Sequence, residues 1–253
     1  MTLVRKAARL PSIARDGWRY PALRLRARGE DTALEALAAV GFPEPELRAL
    51  LHEFEDVAPR VYEQLAASAR AGGDELAATR AAGHSESSEE GKKLLYLSVR
   101  ALRPRLVVET GPFNGASSSF LLRALEATGG EGRLLSFDLP DARDALGHPI
   151  PEGREPAWLV PDELRHRFEL VLGDTRKTLR ARLARETVDL FFHDSLHTTR
   201  HMLFEFRVAW RHLRRGGVLV SDDVFWNPAF WLFTQVHRVP FRHIGTMGVT
   251  RKP

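Results

Sequence analysis

The chain has 253 residues, a formal net charge of +4, 43% hydrophobic residues and no cysteine. That length holds one α/β domain with a helical extension, and the missing cysteines exclude disulfides and thiolate metal sites. No run approaches the ~18–20 apolar residues of a membrane span. The start of the chain lacks an apolar core with a small-residue cleavage site, so no signal peptide is expected and the location is read as cytoplasmic.

The first 28 residues form a basic arm: Arg5, Lys6, Arg9, Arg15, Arg19, Arg24, Arg26 and Arg28 face Asp16 as their one acid. Trp18, Tyr20 and Leu23 give it apolar anchors for docking on the body or on a second subunit. No RNA-binding signature accompanies the charge, so no specific nucleic acid is expected. Asp31 is placed to cap a helix over Thr32 to Val40, ended by Gly41 and Pro43. Pro45 to Ala71 continues in helical period, and Pro59 is expected to kink or divide it. Gly72-Gly73 stops this segment, and Gly83 to Ser88 reads as a polar hinge. The division is thus residues 1–86, arm and helical extension with a possible oligomer contact, and 87–253, the main domain.

In that domain, Arg105 to Glu109 runs apolar into an acid, as a buried parallel strand ends. Gly111 and Gly115 then enclose a tight loop, and Ser118 to Ala127 has helical spacing. Such a loop aims backbone N–H groups at a helix N-terminus, a site suited to a carboxylate or phosphate. Phe113 stands where a dinucleotide fold would carry its second glycine, which disfavours a dehydrogenase. Four further short apolar runs follow, at Gly132–Phe137, Phe168–Leu172, Val188–Phe192 and Gly217–Val220. They are closed by Asp138, Gly173-Asp174, His193-Asp194 and Ser221-Asp222-Asp223. In a parallel sheet those carboxyl ends share the edge where ligands bind. Phe241 to Lys252 reads as two antiparallel strands around Gly245. The fold class is therefore α/β, a Rossmann-like, doubly wound, mostly parallel sheet with an antiparallel C-terminal edge and an N-terminal helical extension.

From about Ser87 onward the pattern resembles the class I S-adenosylmethionine-dependent methyltransferases. Within them it is similar to the catechol and caffeoyl-CoA O-methyltransferase group and to antibiotic-tailoring O-methyltransferases. Glu109, Gly111, Phe113, Gly115 and Ser117 match that group's E-x-G-x-[FY]-x-G-x-S motif. Ser88 to Leu95 resembles the helix start that leads into it, and His193 to Thr198 the D-G-D-H-[ST] segment, with Leu196 where an acid is frequent. The resemblance implies S-adenosylmethionine as donor. Glu109 would accept from its amino group, Gly111 would let the chain approach, and Ser117 would bind its carboxylate. Asp138 would hold the ribose hydroxyls, and Asp174 would take the adenine amino group or cap the next helix. Phe113, Asn114, Gly115 and His193 complete the donor-binding set.

Asp194 precedes Asp222 by 28 residues, one helix and one strand, which returns the chain to the same edge. The resemblance implies that Asp194, Asp222 and Asp223 hold Mg²⁺ or another divalent cation, which would acidify an acceptor hydroxyl. His197 has the register of a catalytic base in the resembling families, with Asp194 beside it. His201 and Glu205 follow at one-turn intervals and are expected to support the helix or the base. A zinc hydrolase is disfavoured, because Thr199 and Arg200 stand where its glutamate belongs. Pro140 to Pro161, anchored by Trp158 to Pro161, is a candidate lid, and Trp226 is expected to line an aromatic acceptor pocket unless it is core. The reading is a Mg²⁺-assisted O-methyltransferase acting on a small-molecule hydroxyl, of a natural product or sugar-bearing metabolite. A metal-independent methyltransferase and a non-catalytic nucleoside-binding module are the alternatives.

Overall fold

The computed structural model describes residues 31–74, 89–143 and 149–253. The basic arm, the hinge at 83–88 and the start of the segment Ser88 to Leu95 lie outside the described residues. Helix α1 (Ala33–Ala39) is capped by Thr32, not by Asp31 as expected. The Thr32 hydroxyl accepts from Glu35 N, while Glu35 reaches back to Thr32 N at 2.8 Å. A threonine with a glutamate three residues on satisfies two end groups reciprocally, which Asp31 alone would not do.

Helix α2 (Glu44–Ala71) runs through Pro59 without being divided. A proline inside a helix costs roughly 3 kcal/mol. The stripe of Leu47, Leu50, Phe54, Ala58, Val61 and Leu65 is buried along the length of the helix and offsets that loss. Helix α3 (Glu89–Leu102) packs beneath it and leads into the sheet.

The described strands are β1 (Leu106–Thr110), β2 (Arg133–Asp138), β3 (Phe168–Leu172), β4 (Val188–His193), β5 (Leu213–Ser221), β6 (Phe241–Ile244) and β7 (Met247–Arg251). Their order across the sheet is β3-β2-β1-β4-β5-β7-β6. The first five pair in parallel, and β7 pairs antiparallel with β5 and with β6. Between them lie α4 (Ala116–Thr128), α5 (Thr175–Leu183), α6 (Thr199–His212) and α7 (Ala229–His237). Strand β5 begins earlier than the apolar run predicts, because Leu213 pairs with Val188 before a register shift.

Alternate strand residues feed two cores, as a two-residue period dictates. Val107, Leu134, Leu190 and Phe192 pack beneath helices α1 to α4. Val108, Leu135, Phe191 and Leu219 pack beneath α5, α6 and α7. Helices on both faces leave the carboxyl edge of the sheet for ligands. Strand order reverses at β1, between β2 and β4, so the crevice opens beyond Thr110 and His193. Among the described residues no helix is long and apolar enough to cross a membrane.

Candidate active site

The loop after β1 turns on Gly111 (φ +82°), Phe113 (φ +46°) and Gly115 (φ +93°), and Gly115 caps α4. A Cβ on Gly111 would lie 2.2 Å from the Asp194 carbonyl oxygen, and one on Gly115 would lie 2.8 Å from Ala157 Cα. Both glycines therefore admit neighbouring backbone. Gly111 thus has a structural reason to be glycine that is independent of the approach of the donor. The neighbour at Gly115 belongs to the Pro140–Pro161 segment. Ala157 N donates to Phe113 O at 2.6 Å and Leu159 N to Asn114 O at 2.9 Å, so the end of the candidate lid is fastened to the loop. Trp158 packs where a Cβ on Gly72 would stand, 2.7 Å from its ring, and so belongs to the seam with α2.

Glu109 is fully buried and accepts from Ser117 Oγ (2.6 Å), Ser118 Oγ (2.6 Å) and Ser136 Oγ (2.7 Å). Burial pushes its carboxyl up, against the lowering pull of those hydroxyls. Here Glu109 binds the start of α4 to β2, and Ser117 is engaged with it. Glu109 Oε1 carries one of these bonds, from Ser117, and keeps acceptor capacity for a further donor. The Asn114 side chain accepts from Ala116 N at 3.1 Å and shapes the same turn.

Asp138, at the end of β2, accepts from Phe113 N (2.9 Å) and Leu139 N (2.8 Å). Burial raises its carboxyl to about 6. Asp174 takes the capping alternative. It accepts from Arg176 N at 2.9 Å and pairs with the Arg176 guanidinium at 2.6 Å, which holds it down at about 2.

His197 lies between two carboxylates. Its Nδ1 is 3.4 Å from Asp223 Oδ2, and its Nε2 is 3.7 Å from Asp194 Oδ1. Its carbonyl accepts from Asn227 Nδ2 at 3.3 Å, and Trp226 packs against its ring at 5.9 Å. Trp226 is 37% exposed and offers apolar surface beside the imidazole. Asp223 has φ +52°, a left-handed conformation uncommon for a residue with a side chain. Asp222 is buried, and its Oδ1 accepts from Thr246 Oγ1 (2.6 Å) and Asp223 N (2.8 Å).

Oxygen donors suit a hard cation. Among the described residues, however, no group of three or more His, Cys, Asp or Glu side chains is arranged to hold a metal ion. The imidazole separates Asp194 from Asp223, and Asp222 turns to Thr246. As formed, these side chains do not fit the cation expected of them.

Behind this edge lies a centre that sequence reasoning underestimated. Glu205, on α6, is fully buried. It accepts from Thr110 Oγ1 (2.7 Å), Thr175 Oγ1 (2.6 Å), His193 Nδ1 (2.7 Å), His201 Nε2 (2.8 Å) and Ser195 Oγ (3.1 Å). Burial alone would raise its carboxyl, but the bonds and charges of His193 and His201 outweigh that and hold it well below the usual carboxylate range. The one-turn spacing of His201 and Glu205 was the available signal.

Residues 108–224 match the model of a methyltransferase domain, a little under half of the chain. No curated protein matches the chain. Among solved structures, it is similar to a Klebsiella pneumoniae protein proposed to be an O-methyltransferase, at 16% identity and a TM-score of 0.56, over 81% of this chain and 96% of that one. It is similar to an O-methyltransferase from Bacillus cereus in complex with SAH, at 18% identity and a TM-score of 0.55, over 75% and 91%. A third is TomG of Streptomyces achromogenes, an O-methyltransferase involved in tomaymycin synthesis and seen with SAM, at 20% identity and a TM-score of 0.51, over 76% and 90%. At these identities the likeness is one of fold.

Proposed function

For a chain whose residues 108–224 match the model of a methyltransferase domain, we propose that the cleft moves a methyl group from S-adenosylmethionine to the hydroxyl of a small molecule. A natural product or sugar-bearing metabolite is the acceptor class we favour. The observation that carries this reading is His197, set between Asp194 and Asp223 at the sheet edge where ligands bind.

Bound S-adenosylmethionine supplies an activated methyl on a sulfonium. What remains for the chain is to orient the two partners and take up a proton. Asp138 is the residue for the ribose hydroxyls, since it closes β2 beside the glycine loop. His197 removes the acceptor proton, and the carboxylates on either side stabilise the charge that arrives on the imidazole. Trp226, packed against the His197 ring, shelters the reacting pair from water. No step is assigned to a divalent cation, because the His197 ring stands between Asp194 and Asp223 and no group of three or more metal-ligating side chains forms among the described residues.

Calorimetry with S-adenosylhomocysteine and with NADH tests the donor. A panel of phenolic and sugar hydroxyl acceptors, read by a mass gain of one methyl group, tests the transfer. Binding of S-adenosylhomocysteine and a methylated hydroxyl product are expected. NADH binding without any response to S-adenosylhomocysteine would overturn the reading.

A further inference from the structure

Glu205 draws its five partners from one region of the fold. Thr110 ends β1, His193 ends β4, Ser195 follows β4, Thr175 opens α5, and His201 lies one turn before Glu205 on α6. Its two oxygens divide the task. Oε1 receives Thr175 and His201, Oε2 receives Thr110 and His193, and the Ser195 hydroxyl is 3.1 Å from each. A network serving stability alone is commonly matched by apolar packing of the same volume. This one instead holds a full charge beneath the edge where the candidate base lies.

The link to that base runs through His193. An ionised carboxylate only accepts, so His193 Nδ1 carries the hydrogen toward Glu205. Among the described residues, His193 Nε2 is buried and has no hydrogen-bond partner. The bond to Glu205 is therefore the polar contact that sets the rotation of the His193 ring. So oriented, that ring meets His197 edge to face, with centroids 5.3 Å apart and planes at 84°. Trp226 lies against His197 too, at 5.9 Å. The base is thus braced between a ring fixed by Glu205 and the acceptor-side indole.

We propose that Glu205 is a positioning residue for His197, acting through the His193 imidazole that its carboxylate orients. This rests on the methyltransferase reading of the cleft for its catalytic meaning, but the geometry it asserts is testable without turnover. It also gives His193 a role different from donor binding: it transmits an orientation.

The test uses the full chain carrying Glu205→Gln, which keeps the volume and removes the charge. Long-range proton–nitrogen NMR on the histidine rings should show His193 losing its uniform Nδ1–H form and the His197 signals moving. Affinity for S-adenosylhomocysteine should stay within about threefold, while kcat for any acceptor that turns over should fall roughly 10–100-fold at little changed KM. Unchanged His193 and His197 signals would overturn the proposal. So would a rate loss matched by an equal loss of donor affinity. Should Glu205→Gln fail to fold, His193→Asn decides, because its amide N–H can still donate to Glu205 while the ring that braces His197 is gone. A reduced kcat at unchanged thermal midpoint supports the proposal, and full turnover refutes it. If no acceptor is methylated at all, the proposed function fails, and the NMR comparison still decides the positioning claim.

Discussion

His197 Nδ1 lies 3.4 Å from Asp223 Oδ2, which couples the segment after β4 to the one after β5 across the cleft. That distance exceeds a good hydrogen bond, and catalytic contacts of this kind tighten when substrate binds. Replacing His197 by alanine should lower turnover roughly 10²–10⁴-fold, the range for removing a general base. Donor affinity and thermal midpoint should hardly change. Asp223→Asn should cost less, because Asp194 still flanks the ring. A paired single-turnover and melting measurement separates the roles: if the midpoint falls while the rate survives, His197 is a scaffold residue.

Gly111 and Asp194 define a second constraint. A methyl group on Gly111 would meet the Asp194 carbonyl at 2.2 Å on a backbone held at φ +82°. Neither backbone segment yields easily, since Asp194 N is itself bonded to Thr110 O at 2.9 Å. Gly111→Ala should therefore destabilise the fold by about 3 kcal/mol or more. Denaturant unfolding monitored at fixed pH checks this. A loss below about 0.5 kcal/mol, as at an ordinary surface site, would show that the β1 and β4 loops do not approach as described.

Asp138 makes donor binding pH-dependent. Burial raises its carboxyl from the ordinary 3.8 to about 6. The folded state then binds this proton more tightly than the unfolded state. The contribution of this group to stability accordingly falls as pH rises from the unfolded value through about 6. Binding runs the other way, since the ionised form is the better acceptor for ribose hydroxyls. Affinity for S-adenosylhomocysteine should weaken as pH drops below about 6, by up to roughly 1.5–3 kcal/mol for a charge-assisted bond. Asp138→Ala should bind weakly and show no such dependence. A flat affinity profile for the unaltered protein would remove Asp138 from the ribose site.

Strands and their closing acids were legible because each is a local pattern, an apolar run followed by a carboxylate. The helical extension was legible too, although Thr32 displaced Asp31 as cap and α2 passed through Pro59. What the strand-end acids do was harder to read. Glu109 and Ser117 are eight residues apart, and nothing local shows that the turn brings them to 2.6 Å. The two explanations of Gly111, ligand approach and chain approach, leave the same glycine in the sequence. Glu205 needed positions 110, 175, 193 and 195 to converge, which only the assembled sheet provides.

The aspartates after β4 and β5 yield the last prediction. In the arrangement formed, Asp222 Oδ1 takes the Thr246 hydroxyl at 2.6 Å, and the His197 ring lies between Asp194 and Asp223. A cation held by Asp194 and Asp223 together would require the ring to leave. Turnover should therefore persist in excess chelator and gain little from added Mg²⁺. Asp222→Asn should act on stability first, because it weakens the bonds from Thr246 and from Asp223 N that shape the turn. Its rate should fall only as far as that turn carries Asp223 away from His197. The opposite outcome is equally definite: activity lost in chelator, restored by Mg²⁺, and abolished in Asp222→Asn with donor affinity intact. That would mean the aspartates regroup around a cation when substrate binds, which would acidify the acceptor hydroxyl while a base or solvent water takes the proton.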